Sequence, residues 1–398
     1  MSGAVESGPA PAGFDPGPIR EWFAGRADEM AGAVEALASI ESPTGDAAAL
    51  ARAREWLETQ AEALGLLAET VPGEGGCDHL LIRSDGRPGR PGQLLLGHFD
   101  TVWPVGTLEG MPVRAEDGIL SGPGVFDMKG GIVQALFAVR ASRELGLELP
   151  AEPVLFLVSD EETGSRNSKE RTIGLAAEAS RVFVMEPSFG PDGLLKTARK
   201  GIGSFRITIK GVASHAGLDP EAGVSAILEA SHQIERIFSL NDPERGITVN
   251  VGTIDGGLRP NVVAPEAKAE VEARVFSVAD AEEVEGALMG LEPTREGIEI
   301  EVEGGFGRSP MERTPGNVSL WEAALSVAAG LGIEIGETRV GGASDGNLTS
   351  PLAPTLDGLG AVGGGAHASD EHLVIDRLPE RSALLTGLLA SPLVEVSG

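Results

Sequence analysis

The stretch LLLGHFDTVWPVGTLEGMPVRAEDGILSGPGVFDMKGG, residues 94–131, is the part of the sequence that best predicts the fold. It opens with an apolar run typical of a short buried strand, and the run stops at His98 and Asp100. A second loop ends at Asp127, and apolar residues with helical spacing follow over residues 132–145. Ligands bind at the ends of strands in parallel α/β sheets. We therefore expect His98 and Asp127, both metal-ligand types, to face one crevice.

Up to residue 191 the chain alternates between helical and strand-like patterns. Apolar residues recur with helical spacing over residues 19–40 and 47–64, which predicts helices before the sheet. Short β-like runs follow, with helical segments between several of them; the runs cover residues 80–83, 93–96, 154–158 and 182–185. This alternation predicts a layered α/β domain.

The pattern changes after residue 191. Residues 203–210 alternate polar and apolar like a half-exposed strand, whereas the earlier runs are apolar throughout. The predicted order becomes β-α-β-β-α-β, which is that of a ferredoxin-like α+β unit. Its later elements are placed at residues 222–237, 247–254, 267–275, 279–291 and 298–302.

The α/β pattern returns towards the end of the chain, with a helix predicted over residues 318–331. We therefore predict a discontinuous α/β catalytic domain, formed by residues 19–196 and 312–398. The α+β unit is inserted into it over residues 197–311. Residues 1–18 are rich in small residues, proline and glycine, and are predicted to be a mobile leader.

The chain is strongly acidic. Its 398 residues include 60 Asp and Glu against 31 Lys and Arg, for a formal charge of −29. Such a surface repels nucleic acid and anionic membranes, which excludes phosphate-backbone partners. An anionic substrate would need basic side chains placed locally, so a few Arg and Lys positions should matter more than the total.

Cysteine content and hydropathy narrow the class further. The single cysteine, Cys77, excludes an internal disulfide and a cysteine-based zinc ribbon. No apolar run approaches the roughly 20 residues of a membrane span. The first residues also lack the basic start and apolar core of a signal peptide. These features predict a soluble, cytoplasmic protein.

Several short clusters of histidine and acidic residues fall at predicted strand ends of the first domain. Any one of them could be a helix cap or a solvated charge. Burying several carboxylates together without a cation is costly, so convergence of the whole set would predict bound metal. The clusters are His98-Phe99-Asp100, Asp127, Asp160-Glu161-Glu162, Glu186 and His367.

The residue types suggest which side chains bind metal and which transfer protons. Two ions ~3.5–4 Å apart need one bridging carboxylate and about two further ligands each. Two histidines with three acidic residues suit zinc, and would also accept cobalt or manganese. Asp100 can hydrogen-bond the ring of His98 and fix its tautomer. Adjacent Glu161 and Glu162 point different ways, so one can ligate while the other takes a proton from the attacking water. This division predicts a hydrolase.

With these residues in place, the sequence resembles the co-catalytic zinc peptidases and deacylases, a family that includes carboxypeptidase G, acetylornithine deacetylase, succinyl-diaminopimelate desuccinylase and peptidase T. The resemblance covers nearly the whole chain from about residue 19, and its motifs occur in the family's order. They are IESPTGD at residues 40–46, GHFDTV, GVFDMKGG, DEETGS, VMEPS, SHAG, RPNVVA and GGGAH.

The resemblance implies a role for each metal-ligand candidate. Asp127 would bridge the ions; His98 and Glu186 would complete one site, and Glu162 and His367 the other. His372, five residues after His367, competes with it for the last ligand position, and the glycines before His367 favour the earlier histidine.

The resemblance also implies the roles of three further features of the centre. Glu161 resembles the general base, and Asp100 resembles the orienting partner of His98. The bridging aspartate of the family precedes a cis peptide, which here would join Asp127 to Met128.

The inserted domain supplies the substrate-binding candidates. By the same resemblance, His215 would donate to the substrate or to the developing oxyanion, in the partner subunit's active site. Asn261 and Arg274 would hold the substrate's terminal carboxylate. Arg199 and Lys200 are additional candidates, although a solvated surface charge is an alternative reading of both, as it is of Arg259. The glycine-rich residues 341–346 resemble a substrate-lining loop, although a plain turn would look the same.

The predicted function is a homodimeric two-zinc hydrolase that cleaves an amide bond next to a free carboxylate, as a glutamate carboxypeptidase-type metallopeptidase does. An N-acyl-amino-acid deacylase and a metal-free binding protein on the same fold are the alternatives. A serine nucleophile elbow is absent around Ser159, and no glycine run between strand and helix fits G-x-G-x-x-G. The chain contains no tyrosine, so a tyrosine cannot stabilise the oxyanion.

Overall fold

The structure is a computed structural model that describes residues 15–84 and 92–393. The chain divides into two compact units, each held together by contacts among its own residues. The first unit is formed by Met1–Thr197, Arg313–Arg339 and Ser344–Gly398, and the second by Ala198–Glu312 and Val340–Ala343. Most of the predicted leader, residues 1–14, lies outside the described residues, and Gly17 already begins a helix.

The α-helices of the described residues are α1 (Gly17–Phe23), α2 (Ala27–Ala38), α3 (Ala47–Ala63), α4 (Gly130–Glu144), α5 (Lys169–Glu178), α6 (Ala226–Phe238), α7 (Val278–Met289), α8 (Pro315–Leu331), α9 (Gly346–Thr349) and α10 (Arg377–Ala390). The strands are β1 (Leu67–Val71), β2 (His79–Arg83), β3 (Gly92–His98), β4 (Arg114–Glu116), β5 (Ile119–Ser121), β6 (Glu152–Val158), β7 (Ala179–Val184), β8 (Leu195–Arg199), β9 (Gly201–Lys210), β10 (Thr248–Gly256), β11 (Glu266–Val275), β12 (Glu299–Arg308), β13 (Glu337–Val340), β14 (Thr355–Leu356), β15 (Gly363–Gly364) and β16 (His372–Val374).

The first unit is built on a six-stranded sheet with the order β1-β2-β6-β3-β7-β14. Strand β3 pairs in parallel with both β6 and β7, and β14 continues the parallel set, while β1 and β2 run antiparallel at the other edge. Both faces are covered, because Leu95 packs into the larger core and its neighbours Leu94 and Leu96 into a smaller one. This burial explains why β3 is apolar throughout.

A smaller four-stranded sheet of the first unit has the order β15-β16-β5-β4. Strand β5 leads into the loop that carries Asp127, and β16 follows the turn that carries His367. These two strands pair antiparallel, with His372 opposite Ser121. The sheet therefore brings two loops that are distant in sequence to the same place.

The second unit is an antiparallel sheet of order β10-β11-β9-β12 with α6 and α7 packed on one face. Phe205, Ile207 and Ile209 of β9 are buried against these helices, while Ser204 and Arg206 between them are exposed. The element order and the strand order are those of a ferredoxin-like fold. The predicted mixed α/β fold class is confirmed, and Ala198–Glu312 of this second unit lie in the sequence between two segments of the first unit.

Two local features of the structure were not predicted. The helical pattern over residues 19–40 forms two helices, because the chain turns at Gly25 with φ +74° between them. Strand β1 was not predicted, since its residues are mostly exposed and lack an apolar run. Among the described helices, none is both long and apolar enough to cross a membrane.

Candidate metal centre

The candidate ligands leave the main sheet at the carboxyl ends of adjacent parallel strands. Strand β3 ends at His98, β6 ends two residues before Asp160, and β7 ends two residues before Glu186. Because β3 lies between β6 and β7, the three loops emerge side by side. His98 is 1% exposed and Asp100 is fully buried, so the centre begins inside the protein rather than on its surface.

Asp127 approaches the same place from the loop after β5. Gly124 begins this turn with φ +72°, and a side chain there would press on Thr101, so the conformation favours glycine. The cis peptide implied by the family resemblance is present between Asp127 and Met128. Helix α4 begins directly afterwards, at Gly130.

The two oxygens of the Asp127 carboxylate face two different histidines. Its Oδ1 atom lies 3.2 Å from Nε2 of His98, and its Oδ2 atom lies 3.5 Å from Nε2 of His367. A carboxylate that faces one nitrogen donor with each oxygen has the arrangement of a bridge between two ions.

Each half of the centre contains a further carboxylate. Oε1 of Glu186 lies 3.7 Å from Nε2 of His98, and Oε2 of Glu162 lies 3.1 Å from Nε2 of His367. The donor atoms of His98, Glu161 and Glu186 lie within 4.8 Å of one another, as do those of His98, Asp127 and Glu162. The structure thus brings together all five predicted ligands and the predicted base.

This donor set fits divalent metal. Ligand atoms at about 2.0–2.1 Å from a tetrahedral ion lie roughly 3.3 Å from each other, which is the range of the nitrogen–oxygen distances between the paired side chains. Several carboxylates also share the centre with only two imidazoles, and such a concentration of negative charge favours a cation. Mixed nitrogen and oxygen ligation suits zinc, cobalt or manganese.

The pKa values of the candidate ligands also show that this centre stabilises positive charge. Hydrogen bonds to Asp127 and Glu162 raise the pKa of His367 to about 10, although burial lowers it. Burial lowers the pKa of His98 as well, but the carboxylates of Asp100 and Asp127 outweigh it and raise that pKa well above its ordinary value. Burial raises the pKa of Asp127, and the two histidines more than reverse this, leaving it low.

Asp100 does more than orient a ring. Nδ1 of His98 lies 3.0 Å from the main-chain oxygen of Asp100, and 3.4 Å from its carboxylate. Donation from Nδ1 leaves Nε2 free to bind metal. The Asp100 carboxylate accepts bonds from the amides of Glu161 (3.3 Å) and Glu162 (3.2 Å) and from the hydroxyl of Thr44 (2.7 Å). It therefore also holds the turn that presents the candidate base.

The two competing histidines near the end of the chain have different surroundings. His367 has φ +61° and directs Nε2 towards Glu162 and Asp127. His372 lies on β16, and its Nδ1 atom is 2.8 Å from the main-chain oxygen of Asp370. Of the two, His367 is the one that the structure places at the centre.

Sequence reasoning missed other residues around the centre. Glu371 and Lys129 are each 1% exposed beside the Asp127 loop, and no motif marked them as buried. Ser344 fits the G-x-S-x-G pattern of a nucleophile over residues 342–346, yet it is fully buried, and its hydroxyl donates to Asp357 (2.7 Å). That bond makes Ser344 part of the interior.

Among the candidates in the second unit, His215 is exposed on a turn. Its Nδ1 atom accepts bonds from the amides of Gly217 and Leu218, both at 3.1 Å. The ring hydrogen therefore lies on Nε2, which is able to donate. Asn261 is also exposed, and its main-chain oxygen accepts a bond from the amide of Ala216 in the same turn.

The basic candidates of the second unit already have partners. Nη1 of Arg274 donates to the main-chain oxygen of Gly341 (3.0 Å), and its Nε atom donates to Glu272 (2.7 Å). Nη1 of Arg199 donates to the oxygen of Gly342 (3.2 Å). Lys200 donates to the hydroxyl of Thr248 (3.1 Å) and lies over the ring of Phe276. Two of these cations thus hold successive carbonyls of the predicted substrate-lining loop.

Comparison with known proteins finds matches among metal-dependent peptidases and deacylases. Residues 94–391 match Peptidase family M20/M25/M40. Carboxypeptidase G2 from Pseudomonas sp. (strain RS-16) is 29% identical over 366 residues, covering 89% of this chain and 87% of the relative. A succinyl-diaminopimelate desuccinylase from Dechloromonas aromatica (strain RCB) is 26% identical over 311 residues, covering 74% and 81%. The crystal structure of aminopeptidase PepT from Bacillus cereus ATCC 10987 has a TM-score of 0.73 at 20% identity, covering 92% of this chain and 98% of that one.

The fold and the donor set define a metal-dependent hydrolase on an α/β scaffold. Since the family match covers well over half of the residues, the chain belongs to Peptidase family M20/M25/M40 and is a metallopeptidase. The resemblance stated from the motifs is confirmed.

Proposed function

We propose that this enzyme is a two-zinc carboxypeptidase that hydrolyses an amide bond next to a free carboxylate. The observation that carries the proposal is the Asp127 carboxylate, whose two oxygens face His98 and His367 from different loops at 3.2 and 3.5 Å. A single ion would use only one of the two Asp127 oxygens together with one histidine. The second histidine, which faces the other oxygen, therefore supports a second ion.

The ligands divide into two sets that share Asp127. His98 and Glu186 would complete one site, and Glu162 and His367 the other. Two divalent ions held there would polarise the scissile carbonyl and lower the pKa of the attacking water. Zinc fits this donor set, and cobalt or manganese would also be accepted.

The chain's own residues then move the proton. Glu161 takes a proton from the attacking water and returns it to the leaving amine. Asp100 keeps Glu161 in place, because its carboxylate accepts the amides of both Glu161 and Glu162. His215 donates from Nε2 to the developing oxyanion, a contribution of roughly 3 kcal/mol to the transition state.

The substrate class rests on the relatives and on the basic residues of the second unit. The relative from Pseudomonas is named a carboxypeptidase, which supports release of a C-terminal residue, and we propose glutamate for that residue. In this proposal Asn261 and Arg274, with Arg199 and Lys200, recognise the carboxylates of the substrate. The desuccinylase relative supports the second candidate, an N-acyl-amino-acid deacylase that uses the same centre.

A substrate panel tests the proposal. Purified enzyme stripped of metal and reloaded with zinc, cobalt or manganese is assayed on acyl-glutamates, dipeptides and N-acetyl-amino acids. The carboxypeptidase proposal expects turnover of acyl-glutamates and of dipeptides with C-terminal glutamate. Turnover of N-acetyl-amino acids alone would favour the deacylase. Absence of metal and of turnover in every arm would leave the binding-protein alternative.

We also propose that the second unit forms a homodimer interface. Strand β10 is an edge strand of its sheet, and α6 beside it leaves large apolar side chains exposed, including Ile227, Leu228 and Phe238. Exposed apolar patches of this kind mark interaction surfaces. Analytical ultracentrifugation should find a dimer, and Leu228→Glu should shift it to a monomer. The cytoplasmic location predicted from the sequence stays a prediction.

A further inference from the structure

Glu371 is a buried carboxylate beside the candidate metal centre. It is 1% exposed and lies four residues after His367, immediately before β16. Each of its side-chain oxygens accepts two hydrogen bonds. Oε1 accepts the amides of Phe126 and Asp127, both at 3.0 Å, and Oε2 accepts the amide of Gly124 and the indole N–H of Trp103, both at 2.9 Å.

The main chain of Glu371 is bound at the same place. Its carbonyl oxygen accepts the amide of Gly122 (3.1 Å), and its own amide donates to the oxygen of Ala368, next to His367 (3.0 Å). Glu371 therefore connects the loop that carries Asp127 with the turn that carries His367. These are the two ligands whose donor atoms lie 3.5 Å apart.

The charge and shape of this side chain suit the loop around Asp127. Three backbone N–H groups of one loop point at one carboxylate, and without an acceptor they would be buried and unsatisfied. The Asp127 amide is one of them, so Glu371 holds the main chain of this candidate ligand directly. Lys129, which follows in the same loop and is equally buried, donates from Nζ to the main-chain oxygen of Ile40 (2.7 Å).

We propose that Glu371 is a positioning residue for the metal centre, which sets the Asp127 loop against His367 before metal binds. The inference rests on the proposed function, because it concerns the ligands of the same two ions. Outer residues that hold metal ligands typically change metal affinity by about 10- to 100-fold when they are replaced.

Glu371→Gln tests this inference with the smallest change in shape. Glutamine has the same shape, but one of its two ends is an NH₂ group that cannot accept, so two of the four side-chain bonds are lost whichever way it is turned. Glu229→Gln is the matched control. Glu229 is a buried carboxylate of the second unit that accepts the Thr294 amide (2.8 Å) and the Gln233 side chain (2.7 Å).

Zinc binding to the metal-free proteins is measured by titration calorimetry, with folding checked by circular dichroism. Glu371→Gln should bind zinc roughly 10- to 100-fold more weakly, whereas Glu229→Gln should keep wild-type zinc affinity even if its melting temperature falls. Wild-type zinc affinity in Glu371→Gln would overturn the inference.

Hydrogen exchange of the metal-free protein gives a second measurement that needs no variant. Peptides covering residues 122–129 should exchange slowly in the wild type, because Glu371 holds three of these amides. Exchange as fast as in exposed loops would overturn the inference even if the variant fails to fold. If the wild type binds no zinc but this segment is protected, the proposed function fails and the positioning of the loop stands.

Discussion

The metal centre of the first unit and the candidate substrate residues of the second unit differ in how firmly they are built. His98 and Asp100 are almost fully buried, and the loops beside them are held by buried carboxylates. His215 and Asn261 are exposed, and Arg274 is 33% exposed at its side chain. The proposed chemistry therefore depends mainly on groups whose geometry exists before any ligand binds, although His367 is 50% exposed at its side chain. His215, Asn261 and Arg274 are candidates for substrate recognition that water still reaches, whereas the candidates Arg199 and Lys200 are buried at 3% and 9% exposure.

The largest effect is expected where the preformed centre performs the chemistry. Glu161→Gln should lower kcat by at least about 100-fold, because glutamine cannot take the proton from water. The variant should keep its metal, since the five proposed ligands are unchanged. Steady-state kinetics and metal analysis of the same preparation check both parts.

A matched control separates the loss of the base from a general loss of negative charge. Glu178→Gln removes a carboxylate from the exposed end of α5 in the same unit and should leave kcat unchanged. If Glu161→Gln turned over substrate like the wild type, the assignment of Glu161 as the base would be wrong.

His215 tests whether the second unit contributes to chemistry as well as to binding. His215→Ala should lower kcat by about 100-fold, which corresponds to the loss of roughly 3 kcal/mol of transition-state stabilisation. His232→Ala is the control, because His232 is a half-buried histidine of α6 that pairs with Arg295. An unchanged kcat for His215→Ala would show that His215 stabilises its turn and takes no part in the chemistry.

Mixing two inactive variants shows in which subunit His215 works. If it acts in the partner's active site, a dimer of one His215→Ala chain and one Glu161→Gln chain contains one complete site, and activity returns on mixing. If it acts in its own chain, every site lacks one group and the mixture stays inactive.

The difference between the two regions also explains what could be predicted from the sequence. The ligand types stand at the ends of apolar runs, so the local pattern around His98 and Asp127 was enough to place them together. Asp100 was also predicted as the partner of His98, but the long-range bonds that hold the ligand loops were not predictable in this way. Asp100 bonds the amide of a residue 61 positions away, and Glu371 bonds one 244 positions away. An acidic residue in sequence looks the same whether it is solvated or buried against amides.

The smallest effect is expected at Arg274, which would contribute to binding alone. Arg274→Gln should raise KM by about tenfold with little change in kcat, as expected for the loss of one charge-assisted bond to a substrate carboxylate. Arg206→Gln is the control, because Arg206 pairs with Glu270 on the same sheet at 3.0 Å. Since Arg274 already bonds Glu272 and the carbonyl of Gly341, a purely structural role predicts a lower melting temperature with an unchanged KM. That result would remove Arg274 from the substrate site and leave carboxylate recognition to Asn261, Arg199 and Lys200.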